Sequence, residues 1–482
     1  MKTKRTIVYG IFAVILALAY TACGDGGGSG GSGGSGGDPG LSGTITITPA
    51  GPVTFGIPLI ANYTGTETVS YQWKRDGRDI SRGTGTTYTP QQAIEAGSYT
   101  VTVSAAGYTE KTSVAVIVTE ESQPMPGSDS NLAQKLAWVK NAVNVQSGQT
   151  YTIEVTADET IRDQQSLSYT TSSGEISITI ILKGIEEERV ISYSNSNAVP
   201  LFSMSKNGVT LILDENITLK SRSSRASLVS VSGGTLVMKA GAKITENQIS
   251  PGVSVGSNGT FTMDGGEISG NRRESSSSSA RGGGVYVASN GTFIMNDGKI
   301  SGNRAYHTSN NTSYTGYGGG VYVDSNGTFT MNGGEISGNY ASDNRSASSS
   351  GYGGGVYVAS NGTFIMNDGE ISGNTSINGS GVCLAGTFTM NGGEISGNTG
   401  IQLYSNYGGG VYVNSGTFRI VTGTVYGSDA SEELRNTASN GAGLYVSTGT
   451  AQRGTFDGET WNSKDSLSTT NDTIMVEDGE LQ

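Results

Sequence analysis

The sequence GGGVYVASNGTFIMNDGKISGN, from Gly282 to Asn303, returns in close copies that start at Gly318 and Gly353. No other feature of the chain restricts its fold as tightly. Each copy divides into three short alternating strands, VYV, TFIM and KIS, separated by SNG, NDG and SGN turns. Alternation puts Val285 and Val287 on one side with Tyr286 opposite, and sends Phe293, Met295 and Ile300 inward. One copy has nothing to bury that apolar edge against. Stacked copies bury it as a continuous column of Val, Phe, Met and Ile, so the expected body is a right-handed parallel β-helix with one coil per copy.

The register of the stack is written into the sequence. Phe261-Asp264, Phe293-Asn296, Phe329-Asn332, Phe364-Asn367 and Phe388-Asn391 are FxxN-type elements, while Val253, Val285, Val321, Val356, Val382, Val411 and Leu444 open the first strand of successive coils. Weaker coils are expected from Phe202 to Leu219, from Val229 to Asn247 and within Tyr151 to Ser194. Roughly nine or ten coils at a strand spacing of about 4.8 Å give a rod on the order of 45 Å long.

Glycine supplies 75 of 482 residues and charged groups only 15%, a turn-dominated composition unusual for a helical or α/β enzyme. A net charge of -12 argues against nucleic acid as a partner and against electrostatic docking on anionic lipid. Membrane attachment is expected instead from residues 1–23. Lys2, Lys4 and Arg5 precede an apolar run, Ile7 to Tyr20, that is too short to span a bilayer, and Ala22-Cys23-Gly24 follows. This segment resembles a bacterial lipoprotein signal, with Tyr20 standing where a leucine is usual. The resemblance implies that Cys23 is lipidated and becomes the mature N-terminus, anchored stably by several acyl chains.

Cys383 is the other cysteine, so the mature chain has no intramolecular disulfide framework. It aligns with the outward tyrosines of neighbouring coils, and no base accompanies it, so it reads as a bystander rather than a nucleophile. His307, the sole histidine, sits in a Ser/Asn-rich insertion. No cofactor is expected.

Residues 24–42 form a Gly/Ser linker with a reach of about 25 Å. From 43 to 120 the pattern becomes short alternating strands, including ITITP, YQWK, YTVTV and VAVIV. This stretch resembles an immunoglobulin-like β-sandwich: Trp73 stands at the strand C core tryptophan and Glu95 to Tyr99 at the tyrosine corner. Val101 occupies the position of the second family cysteine, so the inter-sheet disulfide is missing, and a spacer role is expected. A Pro/Gly/Ser linker, 121–130, leads to the β-helix, 131–482. The β-helix opens on one short amphipathic helix, Asn131 to Val143, with Leu132, Leu136, Val139 and Val143 on one face and Asp129 or Ser130 as its cap. Such a helix is a natural lid for the open end of a solenoid. A degenerate coil from Gly441 and the polar tail from Asp465 to Gln482 are expected to close the other end.

The paired GGGV and FxxN signatures are similar to those of the chlamydial polymorphic outer-membrane proteins, β-helical passengers associated with adhesion. Those proteins end in an autotransporter barrel, where this chain is expected to carry an N-terminal lipid. The full arrangement of lipobox, Gly linker, Ig-like module and MNGGEISGN coils resembles spirochaetal β-helix-repeat surface lipoproteins, the repeat resemblance covering about 200–454. It implies an outer-membrane or cell-surface location and supplies no catalytic site.

Stacking turns repeated residues into ladders. Asn271, Asn303, Asn339, Asn374 and Asn398 are expected to bond one another structurally at one corner. Glu267, Lys299, Glu335, Glu370 and Glu394 form an outward column, a solvated face in which Glu335, Glu370 and Glu394 are left uncompensated. The pectate-lyase-like solenoid also hosts polysaccharide lyases and glycoside hydrolases, so a carbohydrate-active enzyme is the alternative to a binder, and a passive stalk is a third reading. Asp297 and Asp368 fall about 9.6 Å apart by stacking, near the upper end of an inverting carboxylate separation, but no basic partner recurs beside them.

The favoured reading is a non-enzymatic adhesin or interaction scaffold. Tyr286, Tyr322, Tyr357, Tyr412 and Tyr445 hold the outward position of the first strand, and the insertions 304–317 and 340–352 add Tyr306, Tyr314, Tyr317, Tyr340 and Tyr352. Rigid amphipathic rings of this kind suit a host glycan or protein. Cross-strand packing explains the same column without any ligand.

Overall fold

The structure is a computed structural model that describes residues 38–482 except 51–52, 55–57, 91–94, 120–125, 128, 141–147, 172–173, 176, 223, 309–314, 344–349, 402–404 and 457–459. Cys23, the signal segment, most of the Gly/Ser linker, Val143 and Tyr314 lie outside the described residues. The chain divides into two compact units, Met1–Glu121 and Ser122–Gln482.

In the first unit, the strands Ile45–Thr48, Leu59–Tyr63 and Thr87–Tyr88 make one antiparallel sheet, and a six-stranded sheet is built on the antiparallel pair Ser70–Arg75 and Gly97–Ser104. Trp73, Tyr99, Val101 and Val103 are fully buried in its core. Both large rings keep a partner for their polar tip: Trp73 Nε1 donates to the Gly85 carbonyl at 2.8 Å and the Tyr99 hydroxyl to the Glu95 carbonyl at 2.5 Å.

The second unit is a parallel β-helix. Its helix spans Leu132–Lys140, and Leu132, Leu136 and Val139 join the same core as the coils, with Trp138 meeting Tyr151 edge-on at 6.1 Å. The cap differs from expectation. Asn131 Oδ1 accepts the Gln134 N–H at 2.9 Å while Gln134 Oε1 accepts the Asn131 N–H at 3.0 Å, a reciprocal capping box that Asp129 and Ser130 stand too far upstream to make.

Ten first strands, from Gln165–Ser166 to Leu444–Val446, stack in one sheet, and the remaining strands of the coils, together with Trp461–Ser466, Ile474–Glu477 and Glu480–Leu481, build a second, 22-stranded sheet. The expected register holds: Val285 pairs with Val321, then Val356, Val382, Val411 and Leu444, all parallel. Inside, Phe261, Phe293, Phe329, Phe364, Phe388 and Phe418 form one pile of rings, with centroid spacings of 4.7, 4.7, 4.7, 4.5 and 5.1 Å. Those spacings match the distance between strands, so stacking demands no departure from the ladder.

The glycine triplet that opens each copy has two causes. Gly282, Gly318 and Gly353 take φ of +65°, +62° and +64°, the left-handed region that side chains avoid. Gly283 has no room for a side chain: an added Cβ would lie 2.3 Å from the Gly319 carbonyl oxygen of the next coil.

Where they are described, the insertions extend the coil rather than leave it. Arg304–His307 and Tyr340–Asp343 run parallel to Arg272–Ser275, Thr375–Ser376 and Thr399–Gly400, and Gly316–Tyr317 and Gly351–Tyr352 run parallel to Ala280–Arg281. Neighbouring coils supply in-register backbone partners, so the roots of each insertion satisfy their N–H and C=O groups by continuing the ladder. At the C-terminal end the ladder reverses. Trp461–Ser466 and Ile474–Glu477 pair antiparallel with Thr450–Phe456 and Gly423–Val425, so the last coil presents covered edges.

Candidate functional site: the tyrosine face and the serine groove

The outward position of the first strand reads Ser203, Ser230, Ser254, Tyr286, Tyr322, Tyr357, Cys383, Tyr412 and Tyr445, each paired with the next. The tyrosine part of this line was expected to face solvent. Instead Tyr322 is 4% exposed and Tyr412 9%, while Tyr286, Tyr357 and Tyr445 are partly buried. The cover is the added strand layer. Tyr317 and Tyr352 stack at 5.3 Å, and Tyr317 meets Tyr357 edge-on at 4.8 Å. Beneath them Tyr286, Tyr322 and Tyr357 stack at 5.5 and 5.4 Å, and Tyr407 lies 4.7 Å from Tyr445.

Burial has its electrostatic signature. The Tyr286 hydroxyl is pushed up to about 12, first by burial and then by its 2.7 Å bond to the Asp324 carboxylate, and burial also raises Tyr322 and Tyr357. Cys383, in line with the tyrosines as expected, is fully buried, and burial pushes its thiol up, which suppresses the reactive thiolate.

Where the line changes from serine to tyrosine, a groove of about 590 Å³ opens. Ser230 and Ser254 line it from the first strands, Arg273, Ser278 and Arg281 from the added layer, and Tyr286 from the edge of the tyrosine row. Arg273 Nη1 reaches Ser250 Oγ at 3.4 Å and forms no ion pair among the described residues. The Arg281 guanidinium lies over the Tyr322 ring, 5.5 Å from its centroid. Arg273 is held below the ordinary arginine range, by burial and by the neighbouring Arg281 charge, with Tyr286 acting the other way.

The remaining sequence candidates are accounted for locally. Asp297 and Asp368 are exposed, and each accepts the N–H of its own next glycine, Gly298 at 2.7 Å and Gly369 at 2.8 Å. Glu335 was expected to be uncompensated but pairs with Lys299 at 2.9 Å, because Lys299 leans toward that coil. His307 is buried in the added layer, its Nδ1 3.0 Å from the Ser278 carbonyl oxygen. The inner asparagine ladder forms as expected and runs on to Asn436.

The groove was missed at the sequence level, although its signal is legible: the triplets are VSV at Val229 and Val253 and VYV from Val285 onward. No family model matches this chain, and no curated protein matches it.

Proposed function

We propose that this chain is a lipid-anchored surface protein of bacteria, a non-enzymatic adhesin or interaction scaffold that engages its partner along one side of the β-helix. The observation that carries this reading is the groove between the serine and tyrosine lengths of one face, where two arginines and an aromatic ring border open space. Elsewhere Asp297 and Asp368 cap their own turns and Glu335 pairs with Lys299. The lipoprotein-like segment ending at Cys23 supports the anchor, and the N-terminal β unit serves as a spacer, resembling an Ig-like module in sequence. The added strand layer narrows the contact surface that the sequence suggested: the partner meets the groove and the covering layer rather than a bare tyrosine column.

Protease shaving of intact cells, followed by a blot for the chain, tests the location. Loss of the chain from intact cells is the expected result. Protection until the outer membrane is opened would place the protein in the periplasm and overturn the adhesin reading.

A further inference from the structure

Three properties of the groove bear on what it binds. The first is the end of the tyrosine stack. Tyr286 stacks on Tyr322 on one side, but its register partner on the other side is Ser254, so no aromatic ring covers that side and the ring borders the groove. An uncovered aromatic face takes an apolar surface that also carries polar groups at its edge, as a pyranose ring does.

The second is charge. Arg273 and Arg281 line the groove together; the Asp324 carboxylate that holds the Tyr286 hydroxyl offsets part of the Arg281 charge, whereas Arg273 has no carboxylate partner among the described residues. Holding a partly buried guanidinium beside a like charge costs free energy that an incoming anion relieves. A guanidinium presents parallel N–H donors that fit the paired oxygens of a carboxylate, phosphate or sulfate. On a chain of net charge -12 this local positive pair selects an anionic group by position and not by overall attraction.

The third is the lining. Ser230, Ser254 and Ser278 add short hydroxyls that both donate and accept, and the volume of about 590 Å³ lies within the range of ligand pockets. A phosphate alone would leave the hydroxyl floor and the ring unused. An acidic peptide would satisfy the arginines but not the face of Tyr286.

From this juxtaposition we infer that the groove binds an anionic saccharide, its acidic group on Arg273 and Arg281, a sugar face on Tyr286 and its hydroxyls on the serine floor. The inference deepens the binding reading above and rests on it only for the biological setting, since binding is measured on purified protein.

The test is isothermal titration calorimetry on the full mature chain with four probes: an oligouronate, a sulfated oligosaccharide, a neutral oligosaccharide of equal length and a glutamate-rich peptide. Binding by the oligouronate, the sulfated probe or both is expected, weakening with added salt, and their comparison separates carboxylate from sulfate as the recognised group. Arg273→Gln should weaken it at least tenfold with an unchanged circular dichroism spectrum. Should that variant fail to fold, Ser254→Tyr provides a second route: it extends the tyrosine row by one rung, as the later coils already do, and should block the groove in a folded protein. Equal binding of the neutral probe, tighter binding of the peptide, no binding of either anionic probe, or full binding by folded Ser254→Tyr would overturn the inference. Cell-surface shaving is independent of these outcomes, so a surface protein that ignores anionic saccharides refutes this inference alone. A periplasmic protein that binds them refutes only the adhesin reading.

Discussion

Asn374 Oδ1 accepts two hydrogen bonds from Asn339, one from its backbone N–H and one from its side-chain amide, each at 2.9 Å. The Asn339 amide gives its other proton to the Ile300 carbonyl at 2.9 Å, so the side chain ties three coils together. The motif repeats at Asn271, Asn303 and Asn398, all fully buried. A second ladder runs outside, where Asn332 Nδ2 donates to Asn296 Oδ1 at 2.8 Å and Asn367 Nδ2 to Asn332 Oδ1 at 2.7 Å. The two ladders share chemistry and differ in access to water.

That difference sets the first prediction. Asn339→Ala strands the buried backbone N–H and side-chain amide of Asn303, and should cost about 2 to 4 kcal/mol, whereas Asn332→Ala, whose former partners meet water, should cost less than about 1 kcal/mol. Urea unfolding midpoints measure both. Equal shifts would show that burial is not what gives the inner ladder its value.

Phe329 lies between Phe293 and Phe364 with no exposed surface. Phe329→Ala should cost about 3 to 5 kcal/mol through the cavity and the two lost ring contacts. The outward neighbour Thr330, changed to Ala, should cost below about 1 kcal/mol. Thermal unfolding that moved equally in both variants would contradict the assignment of inside and outside.

Cys383→Tyr completes the tyrosine column on paper. In the structure the position is sealed, so the larger ring overpacks and should destabilise by about 1 to 3 kcal/mol. The native thiol should also resist a thiol-specific reagent at pH 8 and react once denaturant unfolds the coils. Rapid labelling of the folded protein is the opposing result.

Acid should weaken the outer ladder at its base. Asp264 is held below its ordinary value of 3.8, first by its bond to Lys239 and then by that from Asn296, so its carboxylate favours the folded state. A lowered folded value means that this stabilisation is complete above the unfolded value and disappears as pH falls through the folded one. Asp264→Asn should therefore be less stable than the parent at pH 7, by no more than about 1 kcal/mol for a pair this open to solvent. The gap should close below about pH 4. A melting-temperature difference that stayed constant from pH 7 to pH 2.5 would show that the carboxylate charge is not involved.

The coil, its register and its inward residues were legible because they depend on period alone: a residue that recurs in one strand position meets its own copy one coil away, whatever else the chain does. Hence the Val, Phe and Asn columns could be listed from the sequence, and the lid helix followed from the 4-3-4 spacing of Leu132, Leu136, Val139 and Val143. Exposure is a different kind of property. Whether Tyr322 meets water depends on what packs over it, and the cover comes from Tyr317 and Tyr352, residues of insertions whose sequence carries no strand period. Those roots became strands because parallel neighbours already offered them backbone partners, a consequence of stacking that one copy read alone does not contain. The same layer set Arg273 and Arg281 beside Ser254 and Tyr286 and so made the groove. Repetition thus determined the solenoid and its core, and only the tertiary arrangement decided which side of it stays open, because openness is fixed by segments that obey the coil's hydrogen bonds and not its sequence pattern.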